Sequence, residues 1–146
     1  MNILHVVNIY FVLPYFIGDQ FKYFKERGYR MNVVCSPSEY LSEYAKEQGF
    51  EYNETPVNRS ISIKQDLASI CRICKFIRRQ RIDIIVGHTP KGALLGMLSG
   101  WLCRVPKRIY FRHGLVYETS HGIKRFILKT VDRIASACAT QIVCVS

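Results

Sequence analysis

The feature that most constrains this chain is its punctuation. Short apolar runs recur between longer segments of helical periodicity, with glycine, proline or a small polar residue at the junctions. Residues 3–7 are apolar apart from His5, the pattern of a strand covered on both faces. Strands are also expected over residues 31–35, 50–53, 84–86, 108–111 and 141–145. Between them the spacing predicts a helix over 15–27 ended by Gly28, and one from a Ser38 cap to Gln48 closed by Gly49. A basic-faced helix over 64–80 follows, with Leu67, Ile70, Cys71, Cys74 and Ile77 on its apolar stripe. Thr89 and Pro90 open a further helix to about Cys103, and a last one carries Ile123, Ile127, Val131, Ile134 and Cys138 on one side.

Strands alternating with helices at these lengths imply an α/β domain: a Rossmann-like parallel sheet with helices on both faces and every strand buried on both sides. At 146 residues the chain is one domain, able to build a core without staples. The six cysteines lie inside apolar segments, which favours buried reduced thiols over a disulfide framework, and no Cys or His spacing suits a metal. No stretch is long enough to cross a bilayer, and the start lacks the pattern of a secretory signal, so the mature chain is expected to begin at Met1. The chain stops at the end of a strand, and more protein is expected to follow Ser146.

Charge is uneven. The chain carries 21 Lys and Arg against 11 Asp and Glu, yet residues 1–58 are net −2 while residues 59–133 are net +12. That asymmetry points to an anionic partner: nucleic acid, an acidic membrane surface or a phosphorylated substrate.

In doubly wound folds, ligands bind beyond the carboxyl ends of the strands, near the point where strand order reverses. Two post-strand segments are informative. In Gly87-His88-Thr89-Pro90-Lys91-Gly92 the glycines admit close backbone approach, a helix start turns free N–H groups and its positive dipole end to the same place, and Lys91 adds a charge. This suits an anionic or polyhydroxylated ligand; the alternative is a capped helix with a solvated lysine. His113 follows a strand and precedes Gly114; an imidazole there suits proton transfer or a hydrogen bond to a sugar hydroxyl, the alternative being a structural histidine bonded to backbone. His5 and His121 read as structural or exposed. Both G-x-G-x-x-G after the first strand and the P-loop pattern are absent, and the basic helix lacks any nucleic-acid motif, so nucleic acid is not an expected partner.

Taken in order, the opening Met1-Asn2-Ile3-Leu4-His5-Val6-Val7, Arg27-Gly28-Tyr29, the Asp83 to Gly92 segment with Leu95-Gly96, Val105-Pro106, Arg112-His113-Gly114-Leu115 and the closing Val143-Cys144-Val145-Ser146 resemble the N-terminal half of family 4 GT-B glycosyltransferases. The first loop departs from the glycine-containing form of many members. The resemblance implies that residues 1–146 are the acceptor-side, Rossmann-like half of a GT-B fold, with the C-terminal donor-binding domain absent from this chain. It implies retaining transfer from a nucleotide sugar to a glycan or lipid-diphosphate-linked acceptor in surface polysaccharide synthesis, with no metal or cofactor and with the fragment alone inactive. In this reading His113 is catalytic, and His88, Thr89, Lys91, Gly92, Arg112 and Gly114 line the acceptor side. The setting it implies is cytoplasmic, with peripheral attachment to the anionic inner face of the plasma membrane. The competing classes are a stand-alone α/β module binding a phosphorylated ligand and a basic nucleic-acid binder.

Overall fold

The computed structural model describes residues 1–58, 62–112 and 121–144. Six strands form one parallel sheet: β1 (Asn2–Val6), β2 (Arg30–Cys35), β3 (Glu51–Glu54), β4 (Ile84–His88), β5 (Lys107–Arg112) and β6 (Gln141–Cys144). Their spatial order is β3-β2-β1-β4-β5-β6, so the chain reverses direction across the sheet between β1 and β4, where Val6 pairs with Gly87. This is the doubly wound, Rossmann-like order.

Parallel neighbours need helical crossovers, and the alternation of side chains along each strand divides the core in two. Ile3, Val7, Met31 and Val33 pack with Phe21 of α1 (Gly18–Glu26) and with Leu41 and Tyr44 of α2 (Leu41–Gln48). On the opposite face Leu4, Val6, Val34 and Ile85 pack with Ile73, Phe76 and Ile77 of α3 (Ile63–Gln80), Leu95 and Met97 of α4 (Pro90–Leu102), and Ala135 of α5 (Gly122–Cys138). Each large apolar side chain buried in this way contributes about 1.5–3 kcal/mol.

Helix α4 is apolar nearly all round and accordingly buried nearly all round. It seats unusually close to the sheet. A Cβ on Gly87 would lie 2.6 Å from Ala93 Cα, one on Gly92 2.9 Å from the Val6 carbonyl oxygen, and one on Gly100 2.8 Å from Ile85 Cγ2. The glycines around the β4–α4 turn therefore serve helix–sheet approach, where the sequence suggested approach of a ligand.

Several expectations shift. The outer strands are not buried on both faces: β3 is half-exposed, and every residue of β6 is exposed. In α3 the buried stripe is Ser69, Ile73, Cys74, Phe76 and Ile77, while Leu67 and Cys71 face solvent. In α5 only Val131 and Ala135 are buried, because the helix meets the core through its second half alone. The helix expected over 15–27 instead starts with a π-helical turn, Leu13–Ile17, carrying Pro14, before α1 begins at Gly18. Cys35 and Cys74 are buried, but Cys71 and Cys144 are exposed; all six thiols are free. Gly49 closes α2 in the left-handed conformation (φ 72°), as read.

Candidate functional site at the strand-order reversal

The carboxyl ends of β1 and β4 meet where strand order reverses, and the first turn of α4 lies over them. His5 and His88 share the face that carries Ile3 and Val86, and both rings are buried. His5 Nδ1 lies 3.0 Å from His88 Nε2. Phe21 stands edge-on to His5 at 6.1 Å, and Phe111 packs on the far side of His88 at 5.4 Å. Burial pulls the His5 imidazole down to about 4, so it is neutral at physiological pH.

His5 Nε2 is buried with no hydrogen-bond partner among the described residues. A bare lone pair is cheaper to leave unmet in an apolar site than an N–H group. We therefore assign His5 the tautomer in which Nδ1–H donates to His88 Nε2. His5 thereby helps to orient the His88 ring.

Thr89 caps α4. Its Oγ1 accepts from Gly92 N at 3.4 Å, and its backbone carries φ 66° and ψ 158°. A β-branched residue in that glycine-like region costs on the order of 1–3 kcal/mol, the kind of strain that gathers at functional turns. Lys91, one residue into the helix, is only 5% exposed, and its Nζ donates to Asp66 Oδ2 at 2.6 Å. Arg112 Nη2 donates to Asp132 Oδ2 at 2.9 Å and to Ser136 Oγ at 3.1 Å, while the Tyr110 hydroxyl donates to Asp132 Oδ1 at 2.8 Å. Burial, reinforced by Asp132, pushes the Tyr110 phenol well above its ordinary value.

The nominated residues thus divide. His88, Lys91 and Gly92 are buried, Thr89 and Arg112 are partly exposed, and His113 and Gly114 lie outside the described residues. Both nominated cations are committed to carboxylates. The sequence reading takes His5 as structural or exposed, without the His88 contact, and does not single out Asp66 or Asp132. The only available signal for His5 was its position two residues from Ile3 and Val7, on the same strand face. Among the described residues no group of three His, Cys, Asp or Glu side chains could hold a metal ion, and no helix is long and apolar enough to cross a membrane.

Residues 3–146 match the family model described as glycosyl transferase 4-like. The chain belongs to that family. Two curated members give it scale. The capsular polysaccharide biosynthesis glycosyltransferase CapM of Staphylococcus aureus is 29% identical over 145 residues, which is 99% of this chain and 37% of CapM. The Escherichia coli UDP-Gal:alpha-D-GlcNAc-diphosphoundecaprenol alpha-1,3-galactosyltransferase is 24% identical over 127 residues, 86% of this chain and 33% of that enzyme. This glycosyl transferase 4-like chain therefore spans about a third of the length of these relatives. Its fold matches the crystal structure of Anabaena Alr3699/HepE in complex with UDP and glucose, with a TM-score of 0.72 at 13% identity, over 97% of this chain and 37% of that one.

Proposed function

We propose that this chain is the acceptor-side domain of a retaining glycosyltransferase. It would act with a C-terminal donor-binding domain outside these 146 residues, moving a sugar from a nucleotide sugar to a glycan or lipid-diphosphate-linked acceptor in surface polysaccharide synthesis. The observation that carries this reading is the strained Thr89 turn, which starts α4 at the strand-order reversal beside the buried His5–His88 pair. Family membership and the activities of the two relatives support it. The stand-alone phosphate-binding alternative is weakened, because Lys91, the cation it relies on, is buried against Asp66.

The transfer breaks the bond between the anomeric carbon and the donor phosphate, so positive charge grows on the sugar as negative charge grows on the leaving group. An imidazole accepting a hydrogen bond from a sugar hydroxyl stabilises that state more than the ground state; His113 is proposed for this role. Thr89 at the N-terminus of α4 would meet acceptor groups on the other side. His88, held by His5, is proposed to keep that turn in register, and Arg112 to act through its fixed pair with Asp132.

The proposed setting is the cytoplasmic face of an anionic membrane. Arg72, Lys75, Arg78 and Arg79 are exposed on α3. Thr140, just after α5, donates its N–H to the Arg108 carbonyl at the start of β5, so α5 runs with its first turn towards the carboxyl edge of the sheet. That turn exposes Ile123 (78%) and Phe126 (71%) beside Lys124 and Arg125, a combination suited to an interfacial helix end.

The test is an assay of this chain and of the complete gene product against a panel of nucleotide sugars and a lipid-diphosphate-linked acceptor. Transfer with retained anomeric configuration by the complete product, and none by residues 1–146, is the expected result. Inverted configuration, or transfer by the chain alone, would overturn the reading.

A further inference from the structure

A recess lies on the carboxyl edge of the sheet. It is a cleft of about 410 Å³ between the loop after β1 (Ile9, Tyr10, Phe11) and the segment after β2 (Ser38, Glu39, Tyr40 among its lining), at the small end of the ~300–1,000 Å³ usual for small-molecule sites. Its walls are aromatic and wet: Phe11 is 66% exposed and Tyr40 55%. Its floor is anchored. Tyr10 stands edge-on to Tyr44 at 5.5 Å, and Tyr44 stands edge-on to Phe21 at 6.0 Å, so a line of rings runs from the core outward and ends at Tyr10. Tyr40 and Phe11 flank Tyr10 at centroid distances of 5.7 and 6.0 Å.

Two properties select the ligand. Aromatic rings exposed at an open cleft offer π-surfaces to a partner with polarised C–H groups. The hydrogen-bonding groups beside them are neutral or acidic: Ser38 Oγ accepts from Tyr40 N at 3.2 Å, which leaves its O–H to donate, and Glu39 presents an exposed carboxylate. The chain's positive charge lies elsewhere, since residues 1–58 are net −2. A phosphate group would meet Glu39 with no facing cation among the cleft residues. A neutral polyhydroxylated ring fits both demands, its C–H face on the aromatics and its hydroxyls on Glu39 and Ser38.

We propose that this cleft is a carbohydrate subsite, in which a neutral hexopyranose ring of the acceptor stacks against Phe11 and Tyr40 over Tyr10 and donates a hydroxyl hydrogen bond to Glu39. The proposal rests on the acceptor-side reading above. It makes the β1 and β2 loops the selectors of the acceptor ring, apart from the residues around the reacting bond.

The experiment is saturation-transfer NMR on the 146-residue chain with methyl galactopyranoside, methyl glucopyranoside and N-acetylglucosamine as probes, and inorganic phosphate as competitor. Saturation should reach the ring C–H protons of at least one pyranoside with millimolar affinity, and phosphate should not displace it. Phe11→Ala and Tyr40→Ala should each weaken binding about tenfold, as loss of an aromatic contact at a small site does, and Glu39→Gln should weaken it less. Both aromatic positions are exposed, so the variants should keep the parent unfolding midpoint. Absence of transfer to every probe, displacement by phosphate, or unchanged binding in Phe11→Ala and Tyr40→Ala would each overturn the proposal. Because the readout is binding to this chain, it stands apart from the transfer assay. Sugar transfer by the complete product without pyranoside binding here would sink the subsite alone.

Discussion

Lys91 Nζ lies 2.6 Å from Asp66 Oδ2, joining the first turn of α4 to the first turn of α3. The pair holds in place the helix start that sits on the strand-order reversal, and it consumes the charge that the sequence appeared to offer to a ligand.

The first prediction follows from that contact. With Lys91 almost fully buried and Asp66 mostly so, Asp66→Asn should remove the charged partner of a buried ammonium and destabilise the chain by about 3 kcal/mol. The double variant Asp66→Leu with Lys91→Met should recover most of that loss. Urea unfolding of the single and double variants measures both; equal stability of wild type and Asp66→Asn would show that the pair holds nothing.

A second prediction concerns pH. Because His5 is held from 6.5 down to about 4 by burial, the unfolded chain takes up a proton there that the folded chain refuses. This contribution to stability is complete above about pH 6.5 and is lost as pH falls towards 4, amounting to about 3 kcal/mol in full. His5→Gln should flatten the fall in unfolding free energy over that window. An unchanged pH profile in the variant would remove His5 as its source.

If the proposed reading holds, His113→Ala in the complete gene product should lower turnover by roughly tenfold to a thousandfold, about 1.4–4 kcal/mol of transition-state stabilisation, with the melting temperature nearly intact. Rate and melting temperature measured on the same preparation decide the matter. A clear drop in melting temperature with normal specific activity would mean that the ring holds backbone instead of substrate.

The fourth prediction is membrane association. The chain should bind vesicles containing phosphatidylglycerol, be released by salt, and ignore neutral vesicles. Lys124→Glu with Arg125→Glu should weaken binding, and so should Phe126→Ser, which leaves charge unchanged and removes an exposed ring. Loss in the charge variant with full retention in Phe126→Ser would reduce the contact to electrostatics alone.

Much of this fold was legible because its signals are local. The apolar runs at Ile3 and Ile84 had to be central strands, Gly49 had to end a helix, and Thr89-Pro90 had to begin one. What escaped depends on neighbours distant in sequence. Leu67 and Cys71 fit a helical stripe as well as Ile73 and Phe76 do; only the position of α3 against α4 decides which set is buried. The α5 stripe reads as fully amphipathic, yet its first turns overhang the core. His5 and His88 are 83 residues apart, and only the β1–β4 pairing makes them neighbours. Lys91 reads as a free charge until Asp66 of another helix is placed beside it. The aromatic cleft draws on two loops whose residues, taken separately, carry no motif.

The bare outer strand has a practical consequence. Among the described residues β6 is hydrogen-bonded on one side only, to β5, and all four of its residues face water. With Ile142 and Val143 exposed and no charged or proline residue within it, β6 lacks the devices that keep strand edges apart, and its unpaired N–H and C=O groups form a template for a second chain. Self-association of this polypeptide should therefore rise with concentration without any loss of core stability. A lysine at Val143 would do more for its solubility than any repair of the interior.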